Sequence, residues 1–146
     1  MRQKVYLVIG VPGSGKSWVC NQLKDKFVYK NHDARLGHAN QPELYINDIL
    51  EAAEGATKPI LIEAPFSISA IKDPIEEAGY EVEPIVIADD DYVISMQYKL
   101  DPTRQGNDIP KGHLTRMGTY IQRAKTLGWF HGNSSQVLEH LKKIAE

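Results

Sequence analysis

One stretch near the start of the chain, Gly10-Val11-Pro12-Gly13-Ser14-Gly15-Lys16-Ser17, fits the pattern G-x-x-x-x-G-K-[ST] and directly follows the apolar run Val5-Tyr6-Leu7-Val8-Ile9. This pairing narrows the fold sharply. Glycines let the backbone curl so that successive N–H groups converge on phosphate oxygens at the positive end of the helix that follows. The apolar run must then be a buried strand and residues 16–26 the helix. In that arrangement Lys16 contacts the β- and γ-phosphates of a nucleotide and Ser17 ligates Mg2+. Gly10, Pro12, Gly13, Ser14 and Gly15 shape the cradle around them.

The rest of the chain repeats the strand-then-helix order. Short apolar runs at Phe27–Tyr29, Pro59–Ile62, Pro84–Ile87 and Trp129–His131 read as four more strands. Their near-continuous aliphatic character suits strands covered on both faces. Helices are expected over residues 42–53, with Leu44, Ile46, Ile49 and Leu50 on the apolar side, and over 69–78, 90–100, 110–127 and 135–145. Asp89 or Asp90 is the expected cap of the fourth helix and Ser134 that of the last, and Pro110 suits a first helical turn. The order predicts an α/β fold, a P-loop NTPase three-layer sandwich whose central sheet of about five strands is mostly parallel. A length of 146 residues suits one domain, 1–146, and the turn-rich Asp101–Asp108 segment reads as a lid loop at about 101–109.

Composition adds few constraints. Apolar residues make up 42% and charged residues 25%, as in soluble globular proteins. No apolar run approaches the ~20 residues that span a bilayer, so no membrane association is expected. The segment Met1-Arg2-Gln3-Lys4 leads into the motif's own strand and is not read as a signal peptide. Cys20 is the single cysteine, so no internal disulfide is possible, and a cytoplasmic location is expected. The net charge of −2 hides an asymmetry. Residues 1–97 hold nine Lys and Arg against fifteen Asp and Glu, whereas residues 98–146 hold eight against four. A basic second part fits either a solvated helical surface or a polyphosphate or nucleic-acid partner.

A phosphate cradle serves hydrolysis or transfer, and the missing parts favour transfer. Neither the D-x-x-G nor the N-K-x-D element of a switch GTPase occurs. A motor ATPase needs more chain for its sensor elements. Asp33 follows the second strand, at the carboxyl edge where open α/β sheets bind ligands, and can accept a proton from an attacking hydroxyl. Arg35 beside it can hold an acceptor phosphate. Arg104 in the lid loop can cover the phosphates and stabilise developing charge. Arg116 and Arg123 share a helix face and either supplement the lid or stay solvated.

Other residues attract blander readings. Trp18 is expected to pack on a neighbour, with stacking on a base or sugar the alternative, and Cys20 to be a small core residue. His32, His38, His113, His131 and His140 lack zinc-like spacing. Asp89-Asp90-Asp91 reads as helix capping rather than a metal site.

Taken together, "VYLVIGVPGSGKS", an aspartate after strand two, a third strand with an acidic end, "EAGYEVEPIVI" and a basic loop before "IPKGHLTRM" resemble the polynucleotide-kinase-like P-loop kinases. That group includes bacteriophage polynucleotide 5′-kinases and zeta-toxin-like kinases. A narrower set within it, the phage kinases of 5-hydroxymethyluracil in DNA, is similar in its small single-domain build. The resemblance implies that Lys16 and Ser17 bind ATP and Mg2+, that Asp33 is the general base, and that Arg104 is the lid arginine. It implies an acceptor site at Arg35, Glu63 and Phe66, with Glu63 also able to hold Mg2+ through water. The implied acceptor is a nucleic acid or nucleotide, for a phage-encoded enzyme in the host cytoplasm.

The chain departs from the pattern twice. Arg35 follows the aspartate by two residues rather than three, and the third strand ends Glu63-Ala64-Pro65-Phe66-Ser67 in place of Asp and a Thr-Asn pair. Pro65 and Phe66 point to a reshaped acceptor pocket. Three further readings of function stay open: a polynucleotide 5′-hydroxyl kinase, a small-molecule kinase for a nucleoside monophosphate or sugar nucleotide, and a non-catalytic nucleotide-binding module.

Overall fold

A computed structural model describes residues 2–31, 41–63 and 68–146. Five strands form one sheet: β1 (Val5–Ile9), β2 (Val28–Lys30), β3 (Ile60–Glu63), β4 (Val82–Ile87) and β5 (Phe130–Gly132). Their spatial order is β2-β3-β1-β4-β5, and every pairing is parallel. Parallel neighbours require crossovers, which five helices supply: α1 (Lys16–Leu23), α2 (Pro42–Ala53), α3 (Ile68–Glu77), α4 (Asp91–Leu100) and α5 (Lys111–Leu127); a further helix, α6 (Ser134–Ile144), follows β5.

Strand β1 shows why the sheet is buried on both sides. Its residues alternate between two separate cores. Val5, Leu7 and Ile9 pack with side chains from α2, α3, α4 and α5, including Ile49, Ile71, Ile94 and Met117. Tyr6 and Val8 face the other way, into Val19 and Leu23 of α1 and Val137 and Leu141 of α6. The result is an α/β three-layer sandwich. Among the described residues no helix is long and apolar enough to cross a membrane.

The expected elements are present, with shifted ends that have local causes. Strand β4 begins at Val82, two residues before the proline expected to start it. Glu81 accepts from the Val5 N–H, so odd-numbered residues of β4 face β1 and Pro84 faces the β5 side. Pairing with β5 starts only at Ile85, so the missing proline N–H leaves no ladder bond unmade. Helix α1 stops at Leu23 rather than residue 26, because the N–H groups of Lys26 and Phe27 both turn back onto the Leu23 carbonyl. Asn133, not Ser134, caps α6: its side chain accepts from the Gln136 N–H at 2.9 Å while Gln136 Oε1 accepts from the Asn133 N–H at 2.8 Å. Asp90 occupies the cap position of α4 without a side-chain capping bond. Helix α2 is rotated from expectation, burying Tyr45, Ile46, Ile49 and Ala53 while Leu44 is exposed.

Candidate active site

β1 is the topological switch point of the sheet. The chain leaves it to build β2 and β3 on one side, then crosses to β4 and β5 on the other, which opens a crevice at the carboxyl ends. The glycine loop fills that crevice. Gly13 and Gly15 have φ values of +90° and +96°, a region L-residues enter at a cost of roughly 1–2 kcal/mol. A side chain at Gly13 would also come within 3.1 Å of the Ile94 carbonyl and of Tyr98 Cβ, and one at Gly15 within 3.0 Å of Ser134 Cβ. The loop is thus wedged between α4 on one face of the sheet and α6 on the other. Gly10 makes room of another kind, since a Cβ there would sit 2.5 Å from Ser14 Oγ.

A cleft of about 660 Å³ lies over the loop, within the usual range for small-molecule sites. Pro12, Gly13, Gly15, Lys16 and Ser17 line it, and so do Glu63, Gln97, Asp101, Arg104, Ser134 and Trp18. Gly10 and Ser14 are buried behind the loop, and the Ser14 hydroxyl has no hydrogen-bond partner. Sequence reasoning therefore placed the loop, Glu63 and Arg104 at one site, and the structure brings them together. Asp33, Arg35 and Phe66 lie outside the described residues. Arg116 and Arg123 are exposed on α5 and do not line the cleft.

Burial sets the electrostatics. It holds the Lys16 ammonium below its ordinary pKa, with the Glu63 carboxylate pulling in the opposite direction. The same burial pushes the Cys20 thiol well above its usual range, which removes it as a nucleophile. Two tyrosines that sequence reasoning did not single out stand around Glu63. Burial raises Tyr29 far above an ordinary phenol, and the nearby Glu63 carboxylate pushes it the same way. Tyr45, fully buried, shares its hydroxyl proton between the carbonyls of Glu63 at 2.8 Å and Lys30 at 3.0 Å, and accepts from the Glu63 N–H at 3.2 Å. One phenol therefore ties the carboxyl ends of β2 and β3 together and fixes the backbone of Glu63.

That tie has a measurable worth. Leaving buried backbone groups unsatisfied costs about 1–3 kcal/mol. Tyr45→Phe should therefore lower stability by about that much in urea unfolding, with an unchanged denaturant slope. An unchanged midpoint would mean that the hydroxyl fastens nothing.

The segment read from the sequence as a lid loop holds a short 3₁₀ turn, Pro102–Arg104. Asp101 organises it by accepting from the Thr103 N–H at 2.9 Å and hydroxyl at 2.7 Å, bonds that hold its carboxyl below the ordinary range. The Arg104 guanidinium lies over the Tyr98 ring at 4.9 Å, and its Nε–H is buried without a partner among the described residues. Helix α4 thus both leans on Gly13 and presents Arg104 to the cleft.

The groups present fit a nucleoside triphosphate with Mg2+. The Glu63 Oε1 is buried with no hydrogen-bond partner among the described residues, and the Ser17 hydroxyl lines the same cleft. One carboxylate and one hydroxyl beside phosphates are the modest protein share that Mg2+ takes at phosphoryl-transfer sites. No group of three or more His, Cys, Asp or Glu placed to hold a metal ion occurs among the described residues.

No protein-family model matches the sequence, and no curated protein does. Solved structures share the fold at low identity. The tunicamycin resistance protein of Deinococcus radiodurans superposes with a TM-score of 0.61 at 16% identity, covering 95% of this chain and 93% of that one. A gluconokinase from Sinorhizobium meliloti gives 0.52 at 17%, covering 78% and 72%. A sugar kinase from Janibacter gives 0.53 at 15%, covering 95% and 92%. The likeness is one of fold: a five-stranded parallel sheet with helices on both sides.

Proposed function

We propose that this protein transfers the γ-phosphoryl group of ATP to a hydroxyl of its acceptor. The observation that carries the reading is the composition of one cleft. A glycine loop with Lys16 and Ser17 meets an acidic strand end and an arginine whose buried Nε–H has no partner among the described residues. The N–H groups of the loop and Lys16 bind and orient the polyphosphate, while Arg104 meets charge on the transferring group. Mg2+, held by Ser17 and through water by Glu63, neutralises phosphate charge when bound. The acceptor oxygen bonds to the γ-phosphorus, the bond to the ADP oxygen breaks, and the hydroxyl proton passes to a carboxylate. We assign that proton to Asp33, three residues beyond β2. Strand β2 lies on the far side of β3 from the glycine loop, the side an acceptor would approach.

Two acceptor classes each have support. The similarly folded gluconokinase and sugar kinase favour a small hydroxylated molecule. The excess of basic residues after residue 97 favours a nucleic acid, as in a polynucleotide 5′-kinase or a kinase of 5-hydroxymethyluracil in DNA. Incubation with γ-labelled ATP and a panel of acceptors separates them. The panel holds gluconate and other sugars, nucleoside monophosphates, 5′-hydroxyl oligonucleotides and DNA containing 5-hydroxymethyluracil. Labelled product is expected from one class. Slow release of free phosphate with no labelled acceptor would instead make the chain a nucleotide-binding module.

A further inference from the structure

Trp18 is read from the sequence as packing on a neighbour, with stacking on a base or sugar the alternative, and about half of it lies open to solvent. Helix α1 buries Val19, Cys20 and Leu23 against the sheet and α6, which turns the preceding position outward. Trp18 is 49% exposed and is the only aromatic side chain among the described residues lining the cleft. It directly follows Lys16 and Ser17, the residues that take the β- and γ-phosphates. A nucleotide whose outer phosphates lie there carries its α-phosphate and nucleoside onward along the loop, where the indole is the one large π-face on offer.

We infer that Trp18 is a binding residue for the donor nucleotide, stacking its indole on the nucleobase. The inference rests on the reading of the cleft as a phosphate-donor site and adds the source of its affinity for the nucleoside part. Stacking is sequence-tolerant because every base presents a π-face, and alanine substitution of such an aromatic typically costs on the order of 1–3 kcal/mol. At this site that corresponds to about a 10-fold loss of affinity for ATP.

Inorganic triphosphate is the discriminating probe, since it has the phosphates and no base. Calorimetry should give Trp18→Ala about 10-fold weaker binding of ATP and an unchanged affinity for triphosphate. Indole fluorescence supplies a second readout that does not depend on affinity. ATP and ADP should quench the wild-type protein and triphosphate should not. The quench should vanish in Trp18→Phe, where Trp129 remains as the internal control. Equal losses for ATP and triphosphate in Trp18→Ala would overturn the inference. So would a quench that survives in Trp18→Phe, or one produced by an acceptor nucleoside and not by ATP. If the wild-type protein binds neither ATP nor triphosphate, the donor-site reading itself fails and the inference falls with it. ATP binding without any Trp18 signal removes the inference alone.

Discussion

Lys16→Ala should lose both nucleotide binding and phosphoryl transfer while remaining folded. The ammonium is buried in the crevice beside Glu63, and burial, the dominant influence, holds its pKa below the ordinary lysine value. A charge kept in such a place works against the empty fold and in favour of an anionic ligand. Truncation should therefore leave the thermal midpoint at or above the wild-type value. At the same time it should cut kcat/KM by at least about 10²–10³, the scale for removing one positioned donor from a developing charge. The sign of the pH dependence follows from the same burial. A lysine with a depressed folded-state pKa is charged below that value and neutral above it. ATP affinity should consequently fall as pH rises at lower pH than an ordinary lysine would allow. Stability of the ligand-free protein should rise over the same interval, between the depressed pKa and the unfolded one. Calorimetric titrations across alkaline pH, paired with thermal unfolding, test both directions. A variant that unfolds, or that keeps wild-type turnover, would contradict the assignment.

Asp33→Asn should separate the two functions that Lys16→Ala removes together. If the carboxylate accepts the acceptor's proton, the amide cannot replace it, and transfer should fall by about 10²–10⁴. ATP binding should persist near the wild-type affinity, because the loop, Lys16 and Arg104 are untouched. Single-turnover transfer measured beside equilibrium ATP binding gives the comparison. Wild-type transfer rates in Asp33→Asn would move the base elsewhere, and Glu63, half-buried in the cleft with a carboxylate oxygen that has no hydrogen-bond partner among the described residues, is the residue to examine next.

The sheet and the phosphate cradle were legible in the sequence because both depend on local pattern. Continuous aliphatic runs mark strands buried on two faces, and a glycine loop with its lysine has one conformational use. The details that escaped depend on groups distant along the chain. Tyr45 looked like one more residue on an amphipathic helix, yet its hydroxyl bonds the carbonyls of Lys30 and Glu63. Nothing in the sequence of α2 announces that a strand end needs a donor there. For Trp18 packing and stacking both stayed open in the sequence: its position in the helix was clear, but its exposure follows from which neighbouring face α6 covers. Gln97, Asp101 and Ser134 reach the cleft only because α4 and α6 close on the loop from opposite layers. Periodicity records that a helix exists and is mute about which end of it meets a ligand.

The position of β1 in the sheet has a consequence for how the molecule is made. Its partners are β3, starting at Ile60, and β4, ending at Ile87, so both hydrogen-bonding edges of the first strand wait for chain made much later. On the ribosome, this apolar strand emerges well before either partner, with two unpaired edges. Non-local parallel pairing of this kind slows folding and prolongs exposure of sticky intermediates. The same strand carries the glycine loop at its end, so the candidate site cannot take shape before β4 docks. Nascent chains truncated before residue 87 should accordingly be clients for chaperones that hold exposed apolar strands.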